Sequence, residues 1–374
     1  MKKTVLFLFA MQMLATILPA QTRYLITGTY TGGKSKGIYV YRFDEATGTA
    51  ALVSETEASN PSYLVVSPDQ RFVYAVHENG KDNNGGQVSA YAFDKSNGQL
   101  RFLNRQLTGG DHPCYVEVDK TGRWVVAGNY SSGNFSVFPV AADGSLGAAV
   151  TKQAHQGSGP DKERQEKPHV HCTVFSPDNK WLYVSDLGID KVMIYSFDAT
   201  TGMISPASPA YAASEPGAGP RHITFHPNGK FAYLIEELTG HVVTYAVKNG
   251  KLKRIQRIST LPRSQKGFAG SADIHVSADG RFLYATNRGD FNNIAIYRIN
   301  AATGKLSTIG FHSTLGKGPR NFNFSPSGKW LLMANQDNDE IVVFSRNEKT
   351  GLIDDSGKRI EVGKPVCLKW IVTE

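Results

Sequence analysis

Short runs of alternating apolar and polar residues, punctuated by Gly, Pro, Asn and Asp, fill the chain from about residue 23 to residue 372. Period-two alternation bounded by turn formers predicts strands, and no sustained 3.6-residue periodicity predicts helices. The strands recur as a unit. NPSYLVVSPDQRFVYAVHE (60–78) returns as HPCYVEVDKTGRWVVAGNY (112–130), KPHVHCTVFSPDNKWLYVSDL (167–187) and GPRHITFHPNGKFAYLIEEL (219–238). It returns again as SADIHVSADGRFLYATNRG (271–289) and GPRNFNFSPSGKWLLMANQ (318–336). Aligned on the basic residue before an aromatic (Arg71, Arg123, Lys180, Lys230, Arg281 and Lys329), the copies are spaced 52, 57, 50, 51 and 48 residues apart. A period near fifty is that of propeller blades.

Each copy predicts a strand, an SPDG-type turn, a second strand, a third such as VMIYSFD (192–198), a DxxTG-type turn and a less regular fourth strand. That turn appears at Asp44–Gly48, Asp94–Gly98 and Asp198–Gly202. Four short antiparallel strands make one blade. The stretch 23–50 matches second and third strands with no first strand before it, whereas GKPVCLKWIV (363–372) resembles a first strand. Six whole copies and one split copy therefore predict an all-β, seven-bladed β-propeller, closed when the C-terminal strand joins the N-terminal blade. The expected organisation is a signal peptide over 1–20 and a single propeller domain over 21–374.

MKKTVLFLFAMQMLATILPA has the basic start, apolar stretch and small final residue of a secretory signal, with cleavage before Gln21. This predicts export, to the periplasm or beyond. The apolar run is short for a membrane span, and no nearby Cys offers a lipid anchor. The formal charge of +8 falls to +6 without Lys2 and Lys3, and the remaining basic residues are scattered, which argues against nucleic acid as a partner. Cys114, Cys172 and Cys367 have neither zinc nor disulfide spacing and read as buried small hydrophobes. Oligomeric state has no signature in the sequence.

Blade geometry places the start of each inner strand and the end of each second strand at one mouth of the central channel. The first set supplies Asn60, His112, His169 with His171, Arg221 with His222, Asp273 with His275, and Arg320 with Asn321. The second supplies His77 with Glu78, Asn129, Asp186, Glu236 with Glu237, Asn287 with Arg288, and Asn335. Titratable residues focused on one concave mouth signal a binding or catalytic site, and the arginines bias it towards anions. Asp69, Asp178 and Asp279 read as turn formers, and His226 lies in a turn away from the mouth. His155 falls in an insertion (151–168) with Lys162, Glu163 and Arg164, expected to be a solvated loop that could also cover the site.

The segments KPHVHCTVFSPDNKWLYVSDLG, GPRHITFHPNGKFAYLIEEL and IHVSADGRFLYATNRG resemble the seven-bladed propeller lactonase family, which includes 6-phosphogluconolactonase and carboxymuconate-lactonising enzymes. The likeness spans about residues 23–372. It implies catalytic roles for His171, Arg221, Glu237 and Arg288; the neighbouring mouth residues His112, His169, His222, His275 and Arg320 are expected substrate contacts. It further implies hydrolysis of a small anionic, sugar-derived lactone by acid/base catalysis. No cofactor is expected, and no metal, because Arg221 and Arg288 would repel a cation from the same mouth. In one position EEL replaces the family's NEL, so that Glu236 adjoins the aligned Glu237. The alternatives are a carboxymuconate-type cycloisomerase and a non-catalytic exported binding or scaffold propeller.

Overall fold

The computed structural model describes residues 21–83 and 85–373. Its strands form seven four-stranded antiparallel sheets arranged as a ring of blades. The first blade is the split one: Pro365–Val372 is its inner strand, followed outward by Arg23–Thr29, Gly37–Asp44 and Thr49–Glu57. Arg23 pairs with Val372 and Thr27 with Leu368, and Thr373 donates its N–H to the Thr22 carbonyl at 2.9 Å. The C-terminal strand thus closes the ring by backbone hydrogen bonds to the N-terminal one, as the repeat count predicts. The signal segment lies outside the described residues.

The inner strands of the other blades are, in order, Leu64–Val66, Pro113–Val118, Val170–Phe175, Pro220–Phe225, Ser271–Val276 and Pro319–Phe324. Second and third strands carry continuous buried apolar runs because both faces pack against neighbouring blades, whereas fourth strands alternate buried and exposed positions at the rim.

The aromatic that anchors the repeat has a physical role. Each one packs against the turn glycine that precedes the fourth strand of the next blade. Trp124 lies against Gly202, Trp181 against Gly250, Phe231 against Gly304, Phe282 against Gly351, and Trp330 against Gly48 across the closure. These glycines have φ between +69° and +80°, the left-handed conformation, and a Cβ at any of them would fall within 3 Å of the ring. The Trp124 and Trp330 indoles also donate to the carbonyls of Ala199 and Glu45 in the same turns, both at 3.0 Å. The repeat signature is therefore a blade-to-blade latch.

Candidate functional site

The residues at the channel mouth are aimed by two backbone features. At the start of nearly every inner strand the register with the second strand slips, leaving residues unpaired: Cys114, His171, Arg221 with His222, Ala272 with Asp273, and Arg320. Such bulges re-aim side chains, and here they turn Cys114, His171 and Arg320 into the mouth. At the ends of the second strands the pleat separates adjacent residues. Asn129, Asp186, Glu236, Asn287 and Asn335 are fully buried and point between strands. The asparagines donate to the carbonyls of Thr108, Thr260 and Thr314, which ties the blades together. In five of the seven blades the residue that follows the second strand lines the mouth cavity instead: Tyr30, Glu78, Tyr130, Glu237 and Arg288.

Of the paired positions read from the sequence, one member lines the cavity in His77/Glu78, His169/His171, Glu236/Glu237, Asn287/Arg288 and Arg320/Asn321, and neither member does in Arg221/His222 and Asp273/His275. Glu236, the acid that departs from the family pattern, turns outward to Arg257 at 2.8 Å and Thr239 at 3.1 Å, and it adds no second carboxylate. His77 is likewise buried, its Nε2 lying 2.7 Å from Ser89 Oγ.

The mouth holds a cavity of about 480 Å³ lined by Tyr30, Glu78, Cys114, Tyr130, Arg164, His171, Glu237, Phe268, Gly270, Arg288, Gly289 and Arg320. Glu237 organises one side. Its Oε2 accepts from Arg221 Nε at 2.9 Å and lies 3.2 Å from Arg288 Nη2, and its Oε1 accepts from Arg164 Nη2 at 2.7 Å. Burial alone would raise the Glu237 pKa, but the Arg288, Arg221 and Arg164 charges overcome it and bring the carboxyl down to about 2. His171 Nε2 stands 3.9 Å from Glu237 Oε2, too far for a hydrogen bond, and its Nδ1 is 3.7 Å from Cys114 Sγ. Burial, reinforced by Arg221, His222 and Arg320, pushes the His171 pKa well below the usual imidazole value, so the ring is neutral. Tyr130 and His222 meet it edge-to-face, each at 5.4 Å between centroids.

Arg221 is 1% exposed and is spent within the protein, on Glu237 and on the Ala272 carbonyl at 2.6 Å. Its Nη1 also donates to His222 Nε2 at 3.2 Å, which places the His222 proton on Nδ1, 2.8 Å from Asp273 Oδ1. Asp273 receives His275 Nε2 on its other oxygen at 2.8 Å. His222 and Asp273 thus form a buried layer beneath the cavity, and His275 lies farther along the same inner strand.

On the opposite side, Tyr30 donates to Glu78 Oε2 at 2.8 Å, and Ser62 donates to the same oxygen. Arg320 lies over the Tyr30 ring at 5.3 Å and has no hydrogen bond or ion pair among the described residues.

Of the five sequence-predicted substrate contacts only Arg320 lines the cavity; besides His222 and His275, His112 and His169 also stand outside its wall. His112 adopts a left-handed φ of 53° and bonds Ser131 at 2.8 Å. His169 stacks on Tyr130 at 4.4 Å and supports it from behind. His226 accepts the Asn228 N–H at 3.1 Å within its own turn and donates to the Gly280 carbonyl of the next blade at 2.9 Å, away from the mouth as expected. His155 corrects the expectation of a solvated loop: it is buried, 2.7 Å from Asp186 and 3.0 Å from the Tyr195 hydroxyl. The insertion it anchors delivers Arg164 to Glu237, a residue the repeat register could not find because no other copy has a counterpart. No group of three or more His, Cys, Asp or Glu side chains among the described residues is gathered to hold a metal ion.

The family model described as Lactonase, 7-bladed beta-propeller, matches residues 24–370. This chain belongs to the seven-bladed β-propeller lactonase family.

Among its relatives in that family is a 6-phosphogluconolactonase of Bacillus subtilis, 38% identical over 354 residues, covering 94% of this chain and 99% of the relative. Solved lactonase structures are similar throughout. A periplasmic gluconolactonase of Pseudomonas aeruginosa is 39% identical with a TM-score of 0.90, covering 94% of this chain and 99% of that one. A Bacteroides fragilis protein described as a 6-phosphogluconolactonase by similarity is 43% identical with a TM-score of 0.89, covering 94% and 98%.

Proposed function

We propose that this lactonase hydrolyses an anionic, sugar-derived lactone of the 6-phosphogluconolactone type in the channel-mouth cavity. The observation that carries the reading is the convergence of a neutral His171, an ionised Glu237 and several guanidiniums on one cavity. Four arginines, counting Arg221 behind the wall, meet only two carboxylates there, Glu78 and Glu237. That surplus of positive charge favours an anionic substrate.

His171 takes a proton from water as the water oxygen attacks the lactone carbonyl carbon. The imidazolium formed faces Glu237 at 3.9 Å, which stabilises it. Arg288 stabilises the oxyanion. The ring C–O bond then breaks, and the leaving alkoxide regains the proton from His171. The product acid ionises, releasing one proton to solvent. Arg221 touches no substrate in this scheme: it holds Glu237 in place. Arg320, without a hydrogen bond or ion pair among the described residues, adds positive charge on the far wall that favours an anionic substrate. His222 and Asp273 hold Arg221 from below.

We also propose that residues 1–20 direct export, a reading supported by their signal-like pattern and by the likeness to a periplasmic gluconolactonase. No helix among the described residues is long and apolar enough to cross a membrane.

The test is a pH-stat assay of the protein from Gln21 onward with 6-phosphogluconolactone, gluconolactone and a carboxylated lactone, spontaneous hydrolysis subtracted. The expected result is proton release with at least one lactone, reduced by about 10²–10⁴-fold in His171→Ala. Turnover of none of the three, or full activity in that variant with native folding by circular dichroism, overturns the reading.

A further inference from the structure

Within the segment 151–168, Thr151–Ala154 is the fourth strand of its blade, pairing with Asn134–Val137, so the insertion proper is residues 155–168. Among the described residues it is a long departure from the repeat, and it is built rather than loose. Gln165 is fully buried, and its side-chain amide donates to the Leu187 carbonyl at 2.8 Å and to Asp190 Oδ1 at 2.7 Å. His155 is locked between Asp186 and Tyr195. Between these anchors, Asp161 Oδ1 accepts the backbone N–H groups of Glu163 and Arg164, both at 3.0 Å, and Gly159 N–H bonds the Gln165 carbonyl at 2.9 Å.

The arm presents one side chain to the cavity, that of Arg164. A guanidinium carries five donors. Arg164 uses a single nitrogen, Nη2, towards Glu237 and, at 3.4 Å, the Tyr130 hydroxyl. Its Nε and Nη1 have no partner among the described residues, and its side chain remains 36% exposed where those of Arg221 and Arg288 are 2% and 20%. Of the three arginines around Glu237 it is the most exposed, and two of its three nitrogens remain unpartnered, whereas Arg288 is tied back through Nε to the Gly270 carbonyl and Arg221 is enclosed.

We infer that Arg164 is a specificity-determining residue: its free donors bind the charged substituent of the lactone. The inference rests on the lactonase reading above and adds a contact from an element that lies outside the propeller repeat. Glu237 holds the guanidinium in its working orientation before substrate arrives, so little side-chain freedom is lost on binding.

The experiment compares wild type, Arg164→Gln and Arg164→Lys, using the whole protein. Kinetics with 6-phosphogluconolactone and gluconolactone are paired with calorimetric binding of their unreactive ring-opened forms, 6-phosphogluconate and gluconate. A charge-assisted hydrogen bond is worth about 10–100-fold. In Arg164→Gln, KM for the phosphorylated lactone should rise by that factor with kcat nearly retained, gluconolactone should lose a few-fold at most, and 6-phosphogluconate should bind correspondingly more weakly. Arg164→Lys should recover part of the loss. Equal losses on both lactones would mean that Arg164 only positions Glu237, and unchanged phosphogluconate affinity would mean that it makes no contact; either overturns the inference. If wild type turns over neither lactone yet binds 6-phosphogluconate through Arg164, the contact stands and the lactonase reading falls. If wild type binds 6-phosphogluconate no better than gluconate, the contact itself is refuted.

Discussion

At Glu237 three guanidiniums outweigh burial, and the sign of that balance has consequences in solution. A carboxyl held at about 2 in the folded protein, against about 4.3 in an unfolded chain, adds stability that is complete above the unfolded value and drains away as pH falls towards 2. The pair of values corresponds to roughly 3 kcal/mol. Thermal melts of wild type should therefore fall steeply between pH 4.5 and 2, and those of Glu237→Gln should be flatter over that interval and lower at pH 7, because Arg221 is left buried without its counter-charge. Superimposable curves would show that the carboxylate carries no such energy. His171 has the opposite charge type and also a depressed pKa. Its base form therefore persists to pH values below the ordinary imidazole range near 6.5, and the acid limb of kcat/KM should lie well below pH 6.5. A limb centred at 6.5 would assign the base to another group. Reading Glu78, Glu237 and Arg288 as mouth residues required only the repeat register. The family resemblance singles out Glu237 and Arg288; the pleat, which sends neighbours to opposite sides, gives the physical reason and is what selects Glu78 over His77.

The strand-and-turn unit was legible because its turn chemistry is local: a DxxTG-type turn needs a left-handed residue at its end, and glycine supplies it. The aromatic that lies against that glycine belongs to the preceding blade, more than seventy residues away in the Trp124–Gly202 case, so the latch itself has no local signature. Gly202→Ala should combine left-handed strain of about 1–2 kcal/mol with a Cβ 2.4 Å from Trp124. Gly32→Ala, at φ +105° with nothing within 4 Å of the new methyl, bears backbone strain without any clash. Urea unfolding midpoints should therefore fall clearly further for Gly202→Ala than for Gly32→Ala, and equal shifts would remove packing from the account. The inner-strand bulges are a second element-scale feature. They coincide with Cys114, His171, Arg221 and Arg320, and a sequence-only reading places these residues near the mouth without showing that they are unpaired and free to aim into it.

Across the whole molecule, closure rests on Pro365–Val372, whose removal would expose the inner edge of the first blade. Ending the chain at Lys364 should give a protein that self-associates in size-exclusion chromatography with light scattering and melts well below wild type. A species of unchanged size distribution and melting midpoint would show that the seam is dispensable. The sequence alone determined the number of blades, their order, the split blade and the mouth at which the titratable residues gather, because each follows from a pattern repeated about every fifty residues and is over-specified by its copies. The tertiary structure decided which mouth residues share the cavity, that Arg221 is committed to Glu237 while Arg320 is free, and that the insertion is an anchored arm bearing Arg164. The physical reason is that a repeat encodes equivalence between positions, whereas a site is made where that equivalence breaks: at bulges, at unlike side chains on like positions, and at a segment that occurs once and so has no register to be read against.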